Sequence, residues 1–169
     1  MATTATTKIR RALTRDAPGA PKDAIALLIA DHKEVGGWFD DYEDLKDDRQ
    51  KGVLAAKICL ALKVHTQIEE EIFYPAARQA TKDNDLLDEA LVEHAAAKDL
   101  IAQIGAMKAG DDMYDAKVKV LGEQIKHHVK EEEEELFPEA KHADMDLVDL
   151  GAKMASRKAE LMVQLGALN

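Results

Sequence analysis

The chain has 169 residues, long enough for one domain with a sizeable apolar core. Its net charge of −10 makes nucleic acid an unsuitable partner for the folded part. No apolar run approaches the roughly 18–20 residues of a membrane span, which argues against a membrane partner. The N-terminus lacks the apolar segment of an export signal, and the single cysteine, Cys59, cannot form an internal disulfide. Both features lead to the expectation of a reducing cytoplasm.

Alanine, leucine, lysine and the two acids dominate, aromatics are only 4%, and β-branched residues are sparse, so an all-α fold is expected. Residues 1–20 are rich in threonine and alanine, carry Lys8, Arg10, Arg11 and Arg15, and read as a flexible basic arm. The first helix is expected to begin near Pro21, a residue suited to a first helical position. Its stripe is Ile25, Leu28, His32, Val35, Phe39 and Tyr42. Gly36 and Gly37 weaken it by roughly 1 kcal/mol each and would admit a close neighbour. The run Asp40 to Asp48 closes this helix and opens the next.

A second helix, about Arg49 to Tyr74, carries Leu54, Ile58, Leu62, His65, Glu69 and Ile72, with Cys59 beside that face as a small core residue. Pro75 should kink or end it. The third helix starts after the Thr81–Asn84 signals, carries Leu87, Leu91, His94, Ile101 and Ile104, and stops at Gly110. Asp111 is the candidate cap of a fourth helix bearing Val118, Leu121, Ile125, His128, Glu132 and Leu136, interrupted by Pro138. An amphipathic segment, about Asp144 to Leu165, follows with Leu147, Leu150, Met154, Leu161 and Leu165 on one side. The expected architecture is an up-down four-helix bundle over residues 21–140, with an additional C-terminal helix in 141–169 packed outside it or against a partner.

Each bundle helix places one histidine on its apolar stripe: His32, His65, His94 and His128. Two helices add a glutamate one turn later, Glu69 and Glu132. A buried carboxylate or imidazole without a partner is destabilising by several kcal/mol. One such group could find a local hydrogen bond, but six on converging stripes need a shared compensating charge, which a metal centre supplies.

The spacings repeat: His32 to His94 is 62 residues, while His65 to His128 and Glu69 to Glu132 are each 63. Both copies of the His-x-x-x-Glu segment end in an aromatic and a proline, Tyr74-Pro75 and Phe137-Pro138, and an acid precedes His32 and His94. The reading is a pseudo-two-fold site. His32 and His65 would hold one metal, His94 and His128 the other, with Glu69 and Glu132 bridging. Nitrogen and carboxylate donors suit two iron ions, and manganese or zinc take the same donors. Positions left over would accept an oxo or hydroxo bridge and a small molecule. His127 competes with His128, since Glu131 lies four residues on from it, but His128 shares the face of Leu121 and Ile125 and alone reproduces the proline at +10. His127 and His142 are expected at the surface, and the acid run Glu131 to Glu135 on a solvated face apart from Glu132. Glu70 is a weaker rival of Glu69, and Tyr42, Tyr74 and Tyr114 read as packing residues, Tyr42 with a secondary claim to the site.

At Asp31-His32, His65-x-x-x-Glu69 with Tyr74-Pro75, Glu93-His94, and His128-x-x-x-Glu132 with Phe137-Pro138, the chain resembles the hemerythrin-like family, specifically bacterial HHE cation-binding domains. The resemblance covers about residues 23 to 140 and implies a four-helix bundle around a non-haem di-iron centre. Oxygen-carrying members place a second histidine one turn from the first on the third helix, where this chain has Ala90 and Lys98. They close the fourth-helix pair with an aspartate five residues on, where this chain has Glu133 beside Glu132. The pattern therefore resembles the HHE variant with fewer ligands rather than the carriers, and leaves the metal at His94 and His128 more open. Three functions follow as expectations. The first is binding or processing of dioxygen, peroxide or nitric oxide. The second is a peroxide-destroying di-iron enzyme, the choice between these two being left open. The third is a non-catalytic iron sensor or store.

Overall fold

The computed structural model describes residues 21–81 and 84–166, and these form helices with no strand among them. Helix α1 is Ala24–Asp44 and α2 is Asp48–Ile68. A π-helical turn, Glu69–Phe73, carries α2 without a break into α3, Tyr74–Ala80. Helix α4 is Asp85–Gly105 and α5 is Tyr114–Glu131. A second π turn, Glu132–Leu136, joins α5 to α6, Phe137–His142, and α7 is Leu147–Gly166. The basic arm expected over residues 1–20 lies outside the described residues.

Helix α1 packs on α2, α2 on α4, α4 on α5 and α5 back on α1, which closes the up-down ring. Two apolar clusters fill it. One holds Leu28, Ile68, Phe73, Leu87, Leu136 and Phe137, and the other holds Val35, Ile58, Leu62, Ile101, Val118 and Leu121. Cys59 is buried in the second cluster, where desolvation pushes its thiol up to about 11. That suits a small core residue rather than a reactive one.

The acid run between α1 and α2 works as expected: α1 ends at Asp44, and the Asp47 carboxylate caps α2 by accepting from Gln50 N–H at 2.9 Å. Several boundaries differ. Helix α1 starts at Ala24 rather than Pro21, because the Asp23 carboxylate takes the Ala26 N–H at 2.8 Å. Helix α4 ends at Gly105, before Gly110, and Asp111 caps no helix. Its carboxylate instead accepts from Lys108 N–H inside the loop, and Met113, in the left-handed region, precedes α5. Leu87, His94, Ile101 and Ile104 of α4 face inward as expected, but Leu91 is 39% exposed and Ala90 takes its place on the buried face. A Cβ on Gly36 or Gly37 would meet nothing within 4 Å, so neither admits a close neighbour.

Neither proline ends its helix. The Tyr74 N–H reaches back five residues to the Glu69 carbonyl, and the Phe137 N–H likewise to Glu132. Each proline enters just after this widened turn, where its missing N–H does not break the rod.

Helix α7 lies across α1, α2 and the first π turn, with Met154 and Leu161 buried beneath it. Gly151 is what permits the approach: a Cβ there would stand 2.7 Å from the Ala24 nitrogen and the Asp23 carbonyl carbon. Backbone cannot yield as a side chain does. Gly151→Ala should therefore destabilise the fold by about 1–3 kcal/mol, read as a lowered denaturation midpoint. An unchanged midpoint would mean that α7 is not seated on the start of α1.

Candidate metal centre

Between the two apolar clusters lies a buried polar layer: His32 from α1, His65 from α2, Glu69 from the first π turn, His94 from α4, His128 from α5 and Glu132 from the second π turn. The six expected side chains thus converge. His32 and His65 bring their Nε2 atoms to 3.1 Å, and His94 and His128 do the same at 3.1 Å. Glu69 spans the two pairs with separate oxygens, Oε1 at 3.2 Å from His65 Nε2 and Oε2 at 3.3 Å from His94 Nε2. Glu132 spans them with one, its Oε2 lying 3.3 Å from His32 Nε2 and 3.5 Å from His128 Nε2.

Four carboxylates outside the layer orient the imidazoles. Nδ1–H donates to Glu133 in His32 (2.9 Å), Asp31 in His65 (3.4 Å), Glu70 in His94 (2.9 Å) and Glu93 in His128 (2.7 Å). With the imidazoles neutral, as ligation requires, each Nε2 is left to present its lone pair inward. Two lysines extend the chains: Lys98 holds Glu70, and Lys158 of α7 holds Asp31. The pseudo-symmetry extends to these supports, since Asp31 and Glu93 precede the paired histidines while Glu70 and Glu133 follow the paired glutamates.

The donor set fits metal ions. Two donors each about 2.1 Å from one ion, at tetrahedral to octahedral angles, stand about 3.0–3.5 Å apart. The pairs above match that spacing. Glu69 Oε1 and Glu132 Oε2 are buried and accept no hydrogen bond among the described residues. Unsatisfied buried carboxylate oxygens are strongly destabilising, and a cation among the nitrogens would remove that penalty. His32, His65, Glu69 and Glu132 form one group able to hold a metal, and Glu69, His94 and His128 a second that shares Glu69.

The hemerythrin HHE cation-binding domain matches residues 23–140. The chain belongs to that family. A solved hemerythrin HHE cation-binding domain-containing protein from Mycobacterium kansasii has the same fold, with a TM-score of 0.72 at 23% identity over 84% of this chain and 88% of that one. A DNA nickase from Nostoc sp. is 28% identical over 111 residues, which is 66% of this chain but only 31% of the nickase. Membership in the HHE family makes this a metal-binding bundle. No helix among the described residues is long and apolar enough to cross a membrane.

Tyr74 is the main departure from the expected reading. Its hydroxyl donates to Glu132 Oε1 at 2.8 Å and lies 3.2 Å from His94 Nε2, so it belongs to the layer and not only to packing. In an α-helix Tyr74 would sit about 140° round from Glu69, five residues earlier. The π turn brings it back to the same side. Phe137, its counterpart, stacks on His32 at 5.8 Å and has no hydroxyl, so the two halves differ here. Tyr42 is instead bonded to Asp115 in the second cluster, and Tyr114 packs there as expected. Glu133, expected on a solvated face, and Glu70, expected as a rival ligand, each orient a histidine instead. His127, 63% exposed, and His142 lie at the surface, as expected.

Among the described residues, openings toward the layer include a groove and a crevice. A groove of about 750 Å³ runs along α1 and α5 past Gly36, Phe39 and Val129 to His32. A crevice of about 10 Å³, no larger than one water, lies between Ala90, Glu131, His128 and Glu132.

Burial alone would lower the His65 pKa, but the Glu69 charge and the Asp31 bond outweigh it and raise the value to about 10. Burial would raise Glu69, yet the charge of His65 holds it well below the usual carboxylate range. The sign for the metal-free protein follows. The depressed Glu69 contributes stability present above its unfolded value of 4.5 and lost as pH falls further. The raised His65 contributes stability complete below its unfolded value of 6.5 and lost as pH rises toward about 10. Chelated protein should therefore show its highest denaturant midpoint between these two unfolded values and a declining one toward pH 10. A midpoint flat across the alkaline side would contradict the pairing.

Proposed function

We propose that the six side chains hold two iron ions and that the centre binds or processes dioxygen, peroxide or nitric oxide. The observation that carries this reading is the pair of buried carboxylate oxygens, Glu69 Oε1 and Glu132 Oε2, left without donors among four inward-facing imidazoles. Iron is favoured by the mixed nitrogen and carboxylate donors, which manganese and zinc also accept. Iron bound there supplies redox change and open coordination positions for a small molecule.

The protein's own groups divide the work. Glu69 links the two histidine pairs. The four outer carboxylates hold each imidazole in the tautomer that ligation requires. Ala90, one of the two positions where the resemblance leads to a further histidine in oxygen carriers, leaves a water-sized crevice beside His128. The clusters on either side exclude bulk water. This packing supports small-molecule chemistry over mineral storage. The peroxide-destroying alternative draws support from Tyr74, whose phenol holds a transferable proton against Glu132.

Two variants test the ligand set. Glu69→Ala should lose both ions, because one carboxylate serves both histidine pairs, whereas His142→Ala should keep them. A Glu69→Ala protein with full metal content would contradict the bridging role. Anaerobic ferrous protein titrated in turn with dioxygen, nitric oxide and peroxide separates the functions: a stable reversible oxygen adduct indicates binding, and repeated peroxide turnover indicates an enzyme. Tyr74→Phe should keep its metal, since Phe137 shows that the position accepts phenylalanine, while any peroxide turnover falls by about tenfold or more. Equal turnover would return Tyr74 to a packing role.

A further inference from the structure

Outside the buried layer, a second group of ligand-type side chains lies on the surface of α4 and α5. His127 Nε2 stands 3.1 Å from Glu131 Oε1 and 3.6 Å from Glu93 Oε1. The three ligand atoms lie within 4.8 Å of one another, and the 3.1 Å between His127 and Glu131 matches two donors on one ion. We propose that Glu93, His127 and Glu131 form a surface site for one divalent transition-metal ion of the ferrous class, from which the buried centre is loaded. This rests on the reading of the buried layer as a metal centre.

Two further observations connect the surface group to the interior. Glu131 shares its crevice with His128 and Glu132, so a ligand of the surface group and two residues of the buried layer line one opening. Glu132, 2% exposed, has an oxygen without a hydrogen-bond partner. Glu93 is divided between the two places, with Oε1 toward His127 and Oε2 accepting from His128 Nδ1–H. Glu131 of the surface group and the buried, unsatisfied Glu132 thus border the same crevice.

The other half of the bundle shows what the same positions look like without this role. The counterparts of His127 and Glu131, 63 residues earlier, are Val64 and Ile68. Both are buried in the apolar cluster that includes Met154 and Leu161 of α7. Helix α7 covers α1, α2 and the first π turn, and the surface group lies on the α4–α5 side. Three exposed or half-exposed ligands suit a weakly held, exchangeable ion, while the enclosed layer suits a tightly held pair.

The test uses metal-free full-length protein titrated with Mn²⁺, followed by electron paramagnetic resonance, together with the rate at which added Fe²⁺ becomes inaccessible to a chelator. Wild type should take up two tightly bound ions and a third weaker one. His127→Ala and Glu131→Gln should each weaken the third ion by about tenfold or more, keep the tight pair, and slow loading. Equal third-ion binding in wild type and both variants would overturn the surface site. Loss of the third ion with an unchanged loading rate would overturn its feeding role. Glu69→Ala separates this proposal from the one it rests on. That variant should lose the tight pair and keep the weak ion, whereas a Glu69→Ala protein that keeps the tight pair overturns the buried centre as read, and the feeding role with it.

Discussion

Two carboxylates buried in an apolar bundle set the terms for the rest of the structure. Glu69 and Glu132 are 0% and 2% exposed. Charges so placed are destabilising by several kcal/mol each unless opposite charge and hydrogen bonds compensate them. Four histidines, one from each helix of the ring, surround them, and each histidine is in turn held by an outer carboxylate. Removing one member leaves the others uncompensated, so the layer acts as a unit. The two apolar clusters on either side hold that unit at fixed geometry.

The π turns are the backbone's share of the arrangement. Each begins at a buried glutamate, and each shifts the following aromatic and proline by one residue. Without the shift, Tyr74 and Phe137 would face away from the layer. With it, Tyr74 stacks on His94 at 5.4 Å and Phe137 on His32 at 5.8 Å. The halves then diverge by one hydroxyl on Tyr74, and by α7, whose Lys158 reinforces Asp31 on one side alone. A near-symmetric frame thus carries an asymmetric layer.

Much of this was legible in the residues. The bundle followed from four apolar stripes, and the six inward side chains from their register on those stripes. The face shared with Leu121 and Ile125 and the proline at +10 distinguish His128 from His127 in the sequence itself. Tyr74 was not legible, because its position depends on a π turn, and a periodicity of 3.6 places it on the wrong face. Leu91 was misplaced through the choice between −3 and −4 from His94, which a stripe alone does not decide. Glu70 and Glu133 were read by their own helix face. Their roles as supports for His94 and His32 depend on contacts across helices, at sequence separations of 24 and 101 residues. The surface group at His127 was visible as a rival register, and only its proximity to Glu93 gave it a separate meaning.

The central claim is that the six side chains form one shared centre for a pair of metal ions. Metal analysis of iron-reconstituted protein, after gel filtration to strip loosely held ions, tests it most directly. The account predicts two retained irons per chain, released together rather than singly by a chelator. One iron per chain, or none, in protein with all six side chains intact would contradict it.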